Sequence, residues 1–394
     1  MARHRLGETR WAGIWAAILL AGCGGSDDRS TDVSLNGSEA DEPAAAGEGT
    51  ASGPFGPSSD GSASPAVPGA LPASGGSDGD SPADFPAPPR EGGGNVPNEP
   101  GTLTAGAWDD NRNLERFLEY RGELAGEQMQ GLPPSEEREH RDAAARALEP
   151  VEHATLDIAL VIDTTGSMSD ELAYLQTEFD AIAAAIEAQY PNSEQRWALV
   201  VYRDEGDEYV TRSFDFGEGV AGFRERLEAQ SAGGGGDYPE ASHAALEAMN
   251  QLGWRSDPAT AKLAFWVGDA PHHVERAAQV AAAVEVAASQ DVHLYPVASS
   301  GVDELTEYSM RAAAQLTLGR YLFLTDDSGV GGEHKEPNIP CYFVTRLDDA
   351  ILRMVDIEMS GVYHEPAEAD VIRAGGNPAD GACRLESGQT VFVF

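Results

Sequence analysis

The sequence predicts an α/β fold: a doubly wound, six-stranded, mostly parallel sheet with one antiparallel edge strand, preceded by a disordered linker. Three observations carry this. From about residue 154 to 360, short apolar runs alternate with segments whose apolar residues recur three and four apart, the pattern of strands covered by helices on both faces. The first run, Leu156–Asp163, is apolar almost throughout, as befits a buried parallel strand. Residues 24–100, in contrast, are dominated by Gly, Ser, Pro, Ala and Asp. They hold too little apolar surface to offset the entropy of ordering.

The elements follow in order. After Leu156–Asp163, the residues Leu172, Leu175, Phe179, Ile182 and Ile186 mark the buried stripe of a helix. Arg196–Tyr202 is the second strand. Glu208–Phe216 alternates and follows only a few residues on, so it pairs antiparallel at an edge. Phe223 and Leu227 mark a short helix, and Gly233 to Gly236 lie in a loop over Ser231–Asp237. A helix with Ala244, Leu246 and Met249 inward precedes strand four, Lys262–Asp269. Val274–Ala288 is helical, Val292–Ala298 is strand five, Leu305–Leu318 is helical, and Arg320–Thr325 is strand six. Leu347, Ile351, Met354 and Ile357 form the apolar face of a last helix. Ahead of the domain, Leu103–Asn111 with Leu114, Phe117 and Leu118 is the first aromatic-bearing stretch, expected to dock on the main domain. Residues 134–149 read as a charged, Ala-rich helix or lead-in. The tail is punctuated by Gly and Pro and ends in Val391-Phe392-Val393-Phe394, a small β appendage. The chain thus divides into a signal peptide at 1–22, a linker at 23–100, a lead-in at 101–153, the α/β domain at 154–360 and a β extension at 361–394.

The amino terminus reads as an export signal. Arg3, Arg5 and Arg10 precede an apolar core, Trp11–Ala21, too short to span a membrane as a mature helix. Leu20-Ala21-Gly22-Cys23 resembles the lipobox of bacterial lipoproteins. That resemblance implies cleavage before Cys23, lipidation of its thiol and anchorage in the cell envelope. Gly24 in place of Asp points to the outer membrane. Cys341 and Cys383 remain as an even pair, either a disulfide or two separate thiols. An oxidising compartment favours the disulfide, which would contribute about 4 kcal/mol by chain entropy for a loop of this length.

Net charge is −40. Residues 1–22 carry three Arg and one Glu, and residues 24–100 carry thirteen acids against two Arg, so about −31 falls on residues 101–394. Such a surface repels nucleic acid and anionic lipid. The linker gives a random-coil reach of roughly 50 Å.

The most informative stretch is Asp163-Thr164-Thr165-Gly166-Ser167-Met168-Ser169. It places a carboxylate and several hydroxyls at a strand-to-helix turn, where open α/β sheets hold ligands. Such oxygens suit a hard divalent cation. Two further segments follow: Gly235-Gly236-Asp237-Tyr238-Pro239-Glu240, and then Val267-Gly268-Asp269-Ala270-Pro271. Together these residues resemble the three metal loops of von Willebrand factor type A (VWA) domains, of a hemicentin-like subgroup, with Thr165 in place of the first loop's usual Ser. The resemblance implies a Rossmann-like fold. It also implies a cation, Mg²⁺ first and Mn²⁺ or Ca²⁺ as alternatives, held by Thr165 and Ser167 with Asp163 and Asp269 acting through water. Asp237, the fifth candidate metal-site residue, stands where the family usually has Thr; if it ligates the ion directly or through water, the added negative charge would oppose capture of a partner's carboxylate. The function implied is cation-dependent binding of a protein or surface polymer, possible through an acidic residue of the partner. The alternative is a structural subunit of an envelope complex.

Each residue also has a plainer role open to it. Asp163 would cap the strand end. Ser167, with Asp170 three residues on, would cap the following helix. Asp269 would form an Asx turn before Pro271. Asp237 with Pro239 and Glu240 would form a capping box. Enzyme signatures are missing. The glycine run lacks a following Gly-Lys-Ser/Thr, no His-Glu-x-x-His occurs, and no Gly-x-Ser-x-Gly elbow occurs. His272 and His273 are adjacent, which suits a loop or helix start better than one shared metal.

Overall fold

The computed structural model describes residues 101–108 and 152–392, apart from 218, 237, 331, 338, 380, 381, 386 and 389. The signal peptide, Cys23, the linker, residues 109–151 and Asp237 therefore lie outside the described residues.

In chain order the elements are β1 (Thr104–Trp108), β2 (Thr155–Asp163), a 3₁₀ turn (Gly166–Met168) running into α1 (Ser169–Gln189), β3 (Gln195–Tyr202), β4 (Thr211–Phe214), α2 (Gly219–Glu228), α3 (Ser242–Asn250) and β5 (Thr260–Gly268). There follow a 3₁₀ turn (Val274–Arg276), α4 (Ala277–Ser289), β6 (His293–Ala298), α5 (Glu304–Thr317), β7 (Tyr321–Thr325), a 3₁₀ turn (Asp326–Ser328), β8 (Tyr342–Arg346) and α6 (Leu347–Ser360). The tail supplies β9 (Arg373–Gly375), β10 (Pro378–Ala379), β11 (Ala382–Arg384) and β12 (Thr390–Phe392).

The sheet is mixed, with a parallel centre. Its order is β4-β3-β2-β5-β6-β7-β1-β8-β9. β3, β2, β5, β6 and β7 run parallel, and β4 closes one edge antiparallel, as expected. The expected count of six is corrected to nine among the described residues. The extra strands extend the opposite edge. β1, from the lead-in, pairs antiparallel with both β7 and β8, and β9 pairs with β8. Their sequences explain why they were missed. β1 reads Thr-Ala-Gly-Ala-Trp, with little β-branched or aliphatic signal. Its small residues suit its place: a Cβ on Gly106 would lie 2.1 Å from the Phe323 ring, so the backbone can pass there only as glycine. Thr104 anchors it, with Oγ1 2.8 Å from Thr325 Oγ1.

Alternation along β2 sets the two layers. Leu156, Ile158, Leu160 and Ile162 pack under α1 with Leu172, Phe179 and Ile186. Ala159 and Val161 face Leu246 and Met249 of α3 and Val280 and Val284 of α4. In α3 it is Ala245 that is buried, while Ala244 is only half-buried. Phe179 meets Trp197 edge-on at 4.9 Å between ring centroids and Phe223 at 4.5 Å. A fully buried aromatic of this kind is worth about 3–5 kcal/mol against Ala. No helix among the described residues is long and apolar enough to cross a membrane.

At the amino-terminal end of the central strands the buried charges are matched. Asp157 is fully buried. It accepts from Arg196 Nε at 2.8 Å, from Arg255 Nη1 at 2.8 Å and from the Arg255 backbone N–H at 2.9 Å. His293 Nδ1 lies 2.8 Å from Glu358 Oε1, which also accepts from the Tyr295 hydroxyl. Burial works to lower the His293 imidazole, but the charge of Glu358 and its hydrogen bonds outweigh this and push it up to about 9. Burial likewise works to raise Glu358, and His293 overrides it, holding the carboxyl at about 2. In the tail, β10, β11 and β12 form a small separate sheet. Cys383 in β11 is joined to Cys341, beside β8, with their Cα atoms 5.8 Å apart.

Candidate metal centre

At the other, carboxyl end of these strands, β2 stops at Asp163 and the chain turns sharply. Thr164 Oγ1 donates to Tyr202 O at 2.9 Å and lies 2.7 Å from the Tyr209 hydroxyl. Asp163 Oδ1 accepts from Thr165 N at 2.8 Å and from Thr165 Oγ1 at 2.7 Å. This is the Asx geometry that lets a short polar side chain organise its own turn. Thr165 Oγ1 lies 3.4 Å from Ser167 Oγ. Asp163 and Thr165 are fully buried and Ser167 is half-buried. Asp163 therefore does organise the strand end, but only with Oδ1. Its Oδ2 is buried without a hydrogen bond, although the Tyr202 hydroxyl lies near enough to favour the charged form. Burial first, and then the charge of Asp269, raise the Asp163 carboxyl above the usual carboxylate range against these hydrogen bonds. Ser167 makes no capping hydrogen bond to α1, whose N-cap position is Met168.

The glycine loop is zipped onto this turn. Gly233 N donates to Thr164 O at 3.0 Å, and Gly166 N donates to Gly234 O at 3.2 Å. Arg203 staples both, with Nε to Thr164 O at 3.1 Å and Nη2 to Ser231 O at 2.8 Å. Gly234 has φ +80°, and a Cβ there would meet Asp207 Oδ2 at 2.5 Å, so both conformation and space demand glycine. Asp207 Oδ2 in turn accepts from Gly235 N at 2.9 Å.

Glu240 is the residue that sequence reasoning missed. The capping-box reading is overturned: α3 begins only at Ser242, with Ala241 at its N-cap and no side-chain cap. Glu240 instead forms an isolated parallel bridge with His272, donating from its backbone N–H to Pro271 O at 2.8 Å. Its side chain is fully buried, and neither carboxylate oxygen has a hydrogen-bond partner. A Cβ placed on Gly235 would lie 3.0 Å from both Glu240 Oε1 and Thr165 Cβ. The carboxylate thus reaches back over the glycine loop to the first loop. Burial, followed by the charges of Asp163, Asp204, Asp269 and Asp207, pushes the Glu240 carboxyl up to about 10. The only sequence signal was the acid at the end of the Gly-Gly-Gly-Asp-x-Pro-Glu run, and helix capping absorbed it.

Asp269, the first residue after β5, is buried at the same corner, and its charge acts on Asp163, Glu171 and Glu240. His272 and His273 diverge, as their adjacency suggested. His272 is buried 3.4 Å from Ser309 Oγ, while His273 Nε2 lies 2.5 Å from Asp204 Oδ1. Burial first and the neighbouring histidines next lower His272 to about 4, so its imidazole is neutral at pH 7.

The residues present fit a hard divalent cation by donor chemistry: hydroxyls of Thr165 and Ser167, beside buried carboxylate oxygens of Asp163 and Glu240 that lack a hydrogen bond. No three His, Cys, Asp or Glu side chains among the described residues gather closely enough to hold an ion by themselves. An ion held here would need the hydroxyls as well.

Beside this corner a hydrogen-bonded chain runs from Glu171 Oε1 to Ser300 Oγ at 2.9 Å, on to His334 Nε2 at 3.1 Å, and from His334 Nδ1 to Asp326 Oδ1 at 2.8 Å. The order Ser-His-Asp is that of an acyl-transfer triad. Here, however, the hydroxyl is also held by a buried carboxylate, and Ser300 N points to the same Glu171 oxygen at 3.3 Å. The chain ties the loop after β7 to the first turn of α1.

Comparison with known proteins adds the following. Residues 157–329 match the family model of the von Willebrand factor A domain, which supports a VWA domain in that stretch. A putative ariadne-like RING finger protein, R811, of Acanthamoeba polyphaga mimivirus is 29% identical over 120 residues, 30% of this chain and 11% of that protein. The pilus adhesin SpaC from Lactobacillus rhamnosus GG superposes with a TM-score of 0.32 at 12% identity, over 43% of this chain and 28% of the adhesin. Its open conformation gives 0.34 at 11% identity, over 54% and 30%. The chain spans about a tenth of the length of the curated relative and under a third of the adhesin. Likenesses this weak carry no argument about function.

Proposed function

We propose that this chain is a lipid-anchored protein of the bacterial cell envelope whose VWA domain binds a protein or surface polymer in a divalent-cation-dependent way. One observation carries the reading: Asp163, Thr165, Ser167, the glycine loop and Asp269 meet in a single buried, oxygen-rich corner at the carboxyl ends of the strands. Thr165 and Ser167 would hold the cation, and Asp163 and Asp269 would orient it. Bound there, Mg²⁺ would supply a fixed positive charge joining three loops and a Lewis-acidic face toward a partner's oxygen. Asp163 Oδ1 already fixes the rotamer of Thr165, so the first loop is preorganised. Arg203 and the two backbone bonds between the loops hold the second against it.

Anchorage rests on the sequence: Cys23 in its lipobox context, then a linker long enough to display the domain away from the membrane. The Cys341–Cys383 disulfide fits an oxidising compartment. The net charge of −40 disfavours nucleic acid. The role is that of a binder, not a catalyst.

The test is capture of envelope components by the purified chain with Mg²⁺, with EDTA, and with Asp163→Ala. Capture lost in EDTA and in the variant, with the fold intact by circular dichroism, supports the reading. Capture that survives both would sink it. Substitution of Cys23 by Ser should abolish incorporation of labelled palmitate. A second reading, in which the ion only stiffens the loops of an assembly subunit, is favoured by one observation, the additional buried acid at Glu240.

A further inference from the structure

The corner contains one carboxylate more than the three sequence motifs account for in their expected roles. Glu240 is fully exposed to neither water nor a hydrogen-bond donor. It is 0% accessible, and both of its oxygens lack partners. Burying a carboxylate this way is costly unless a cation or a proton compensates it. Its position is fixed by backbone, through the bond from Glu240 N to Pro271 O and the bridge to His272. Pro271 and His272 belong to the segment that carries Asp269. Glu240 therefore stands between the second and third loops and reaches, across Gly235, to the first.

We propose that Glu240 is the cation-facing acid of the second loop, a role the sequence pattern would give to position 237. This rests on the cation reading above and deepens it. With Glu240, Asp163 and Asp269 ionised around it, a dication held with the help of the Thr165 and Ser167 hydroxyls leaves the corner one net negative charge. Such a site retains its ion strongly and has little attraction left for a partner's acidic group. The ion then acts mainly by locking three loops into one surface, and the partner group that meets this surface is neutral or basic.

The test uses the full chain, freed of metal with EDTA and dialysed. Mg²⁺ and Mn²⁺ are titrated calorimetrically into the wild type, Glu240→Gln and Asp163→Asn, and thermal unfolding is followed with and without Mg²⁺. Glu240→Gln should weaken cation affinity about tenfold or more, since even outer partners of a bound ion contribute 10–100-fold. In EDTA it should unfold at about the wild-type temperature, because the ion-free Glu240 carboxyl is already protonated and the amide replaces a neutral group, and it should gain less from Mg²⁺. That split between an unchanged melt in EDTA and a reduced response to Mg²⁺ is not expected of a residue with a purely structural role. If Glu240→Gln matches the wild type in affinity and in its response to Mg²⁺, while Asp163→Asn loses both, the Glu240 assignment is overturned and the cation reading stands. If the wild type takes up neither ion at millimolar concentration, the cation reading falls and this proposal with it. Should the glutamine variant fail to fold, Glu240→Asp keeps the charge on a shorter reach. Weakened binding there supports the proposal, and unchanged binding overturns it.

Discussion

Asp157 and Asp163 lie on the same strand, six residues apart, on the same side of the sheet and equally buried. Their surroundings differ completely. Asp157, near the amino end of β2, receives hydrogen bonds from two arginines and a backbone amide. Asp163, at the carboxyl end, receives two from its own turn and keeps one oxygen without a hydrogen bond, among other acids. The fold thus neutralises its buried acid where the position serves stability and leaves it uncompensated where open α/β sheets hold ligands. A buried carboxylate that the protein does not neutralise itself is a mark of something that has to arrive.

The largest effect that would break this comparison comes from swapping the two acids for amides. Asp157→Asn leaves two arginines facing a neutral group. Removing one partner of a buried pair costs about 3–5 kcal/mol, and the partial exposure of Arg196 and Arg255, 24% and 17%, argues for the lower end. Asp163→Asn keeps an acceptor for Thr165 N and Thr165 Oγ1 and replaces a carboxyl that burial already holds largely neutral, so in EDTA its stability should stay within about 1 kcal/mol of the wild type. Its loss should be in the response to cation, where the wild type gains about 2.7 kcal/mol at a hundredfold excess over Kd. Urea unfolding of both variants, with and without Mg²⁺, measures this. Equal losses in EDTA would show that Asp163 is a structural acid like Asp157.

A smaller effect separates the two ends by pH. Glu240 is raised from an ordinary 4.5 to about 10. The stability it lends by staying protonated is complete below about pH 4.5 and is lost as pH rises toward 10. Asp163 is raised as well and acts in the same sense. His293, at the other end, is raised from 6.5 to about 9, so its contribution is complete below about 6.5 and is lost through 9. Glu358, lowered to about 2, contributes above about 4.5 and loses that only in strong acid. In EDTA the unfolding temperature should therefore fall steadily from about pH 5 to 9. Saturating Mg²⁺ should flatten the share that comes from the acidic corner and leave the share from His293. Equal slopes with and without Mg²⁺ would place the ion elsewhere or nowhere.

Much of the sheet could be read from the sequence because its central strands and helices carry strong periods. Leu156–Asp163 and Lys262–Gly268 are long and apolar, and Leu172, Phe179 and Ile186 repeat at helical spacing. The far edge could not. β1 is five residues, four of them small, from a segment nearly fifty positions upstream of β2, and β8 and β9 are strands of only five and three residues. Their register comes from tertiary pairing, which leaves little local trace. In the site, the first loop was legible because one contiguous motif supplies its carboxylate and hydroxyls. Glu240 was not, because the local rule for helix starts explained it adequately, and only burial reveals that no helix start uses it.

The smallest effect tests how the hydroxyls and carboxylates share the cation. Thr165 Oγ1 is committed to Asp163, whereas Ser167 Oγ, half-buried and 3.4 Å from it, makes no cap for α1. Ser167→Ala should therefore leave unfolding in EDTA unchanged, since the fold does not depend on that oxygen. It should weaken Mg²⁺ binding about tenfold, the lower end of what supporting groups contribute at metal sites. Calorimetry beside a thermal melt reads both quantities. A stability loss in EDTA would make Ser167 a structural hydroxyl of the Asp157 kind. Unchanged affinity would show that the ion does not use Ser167, and the donor set proposed here would lose its half-buried hydroxyl.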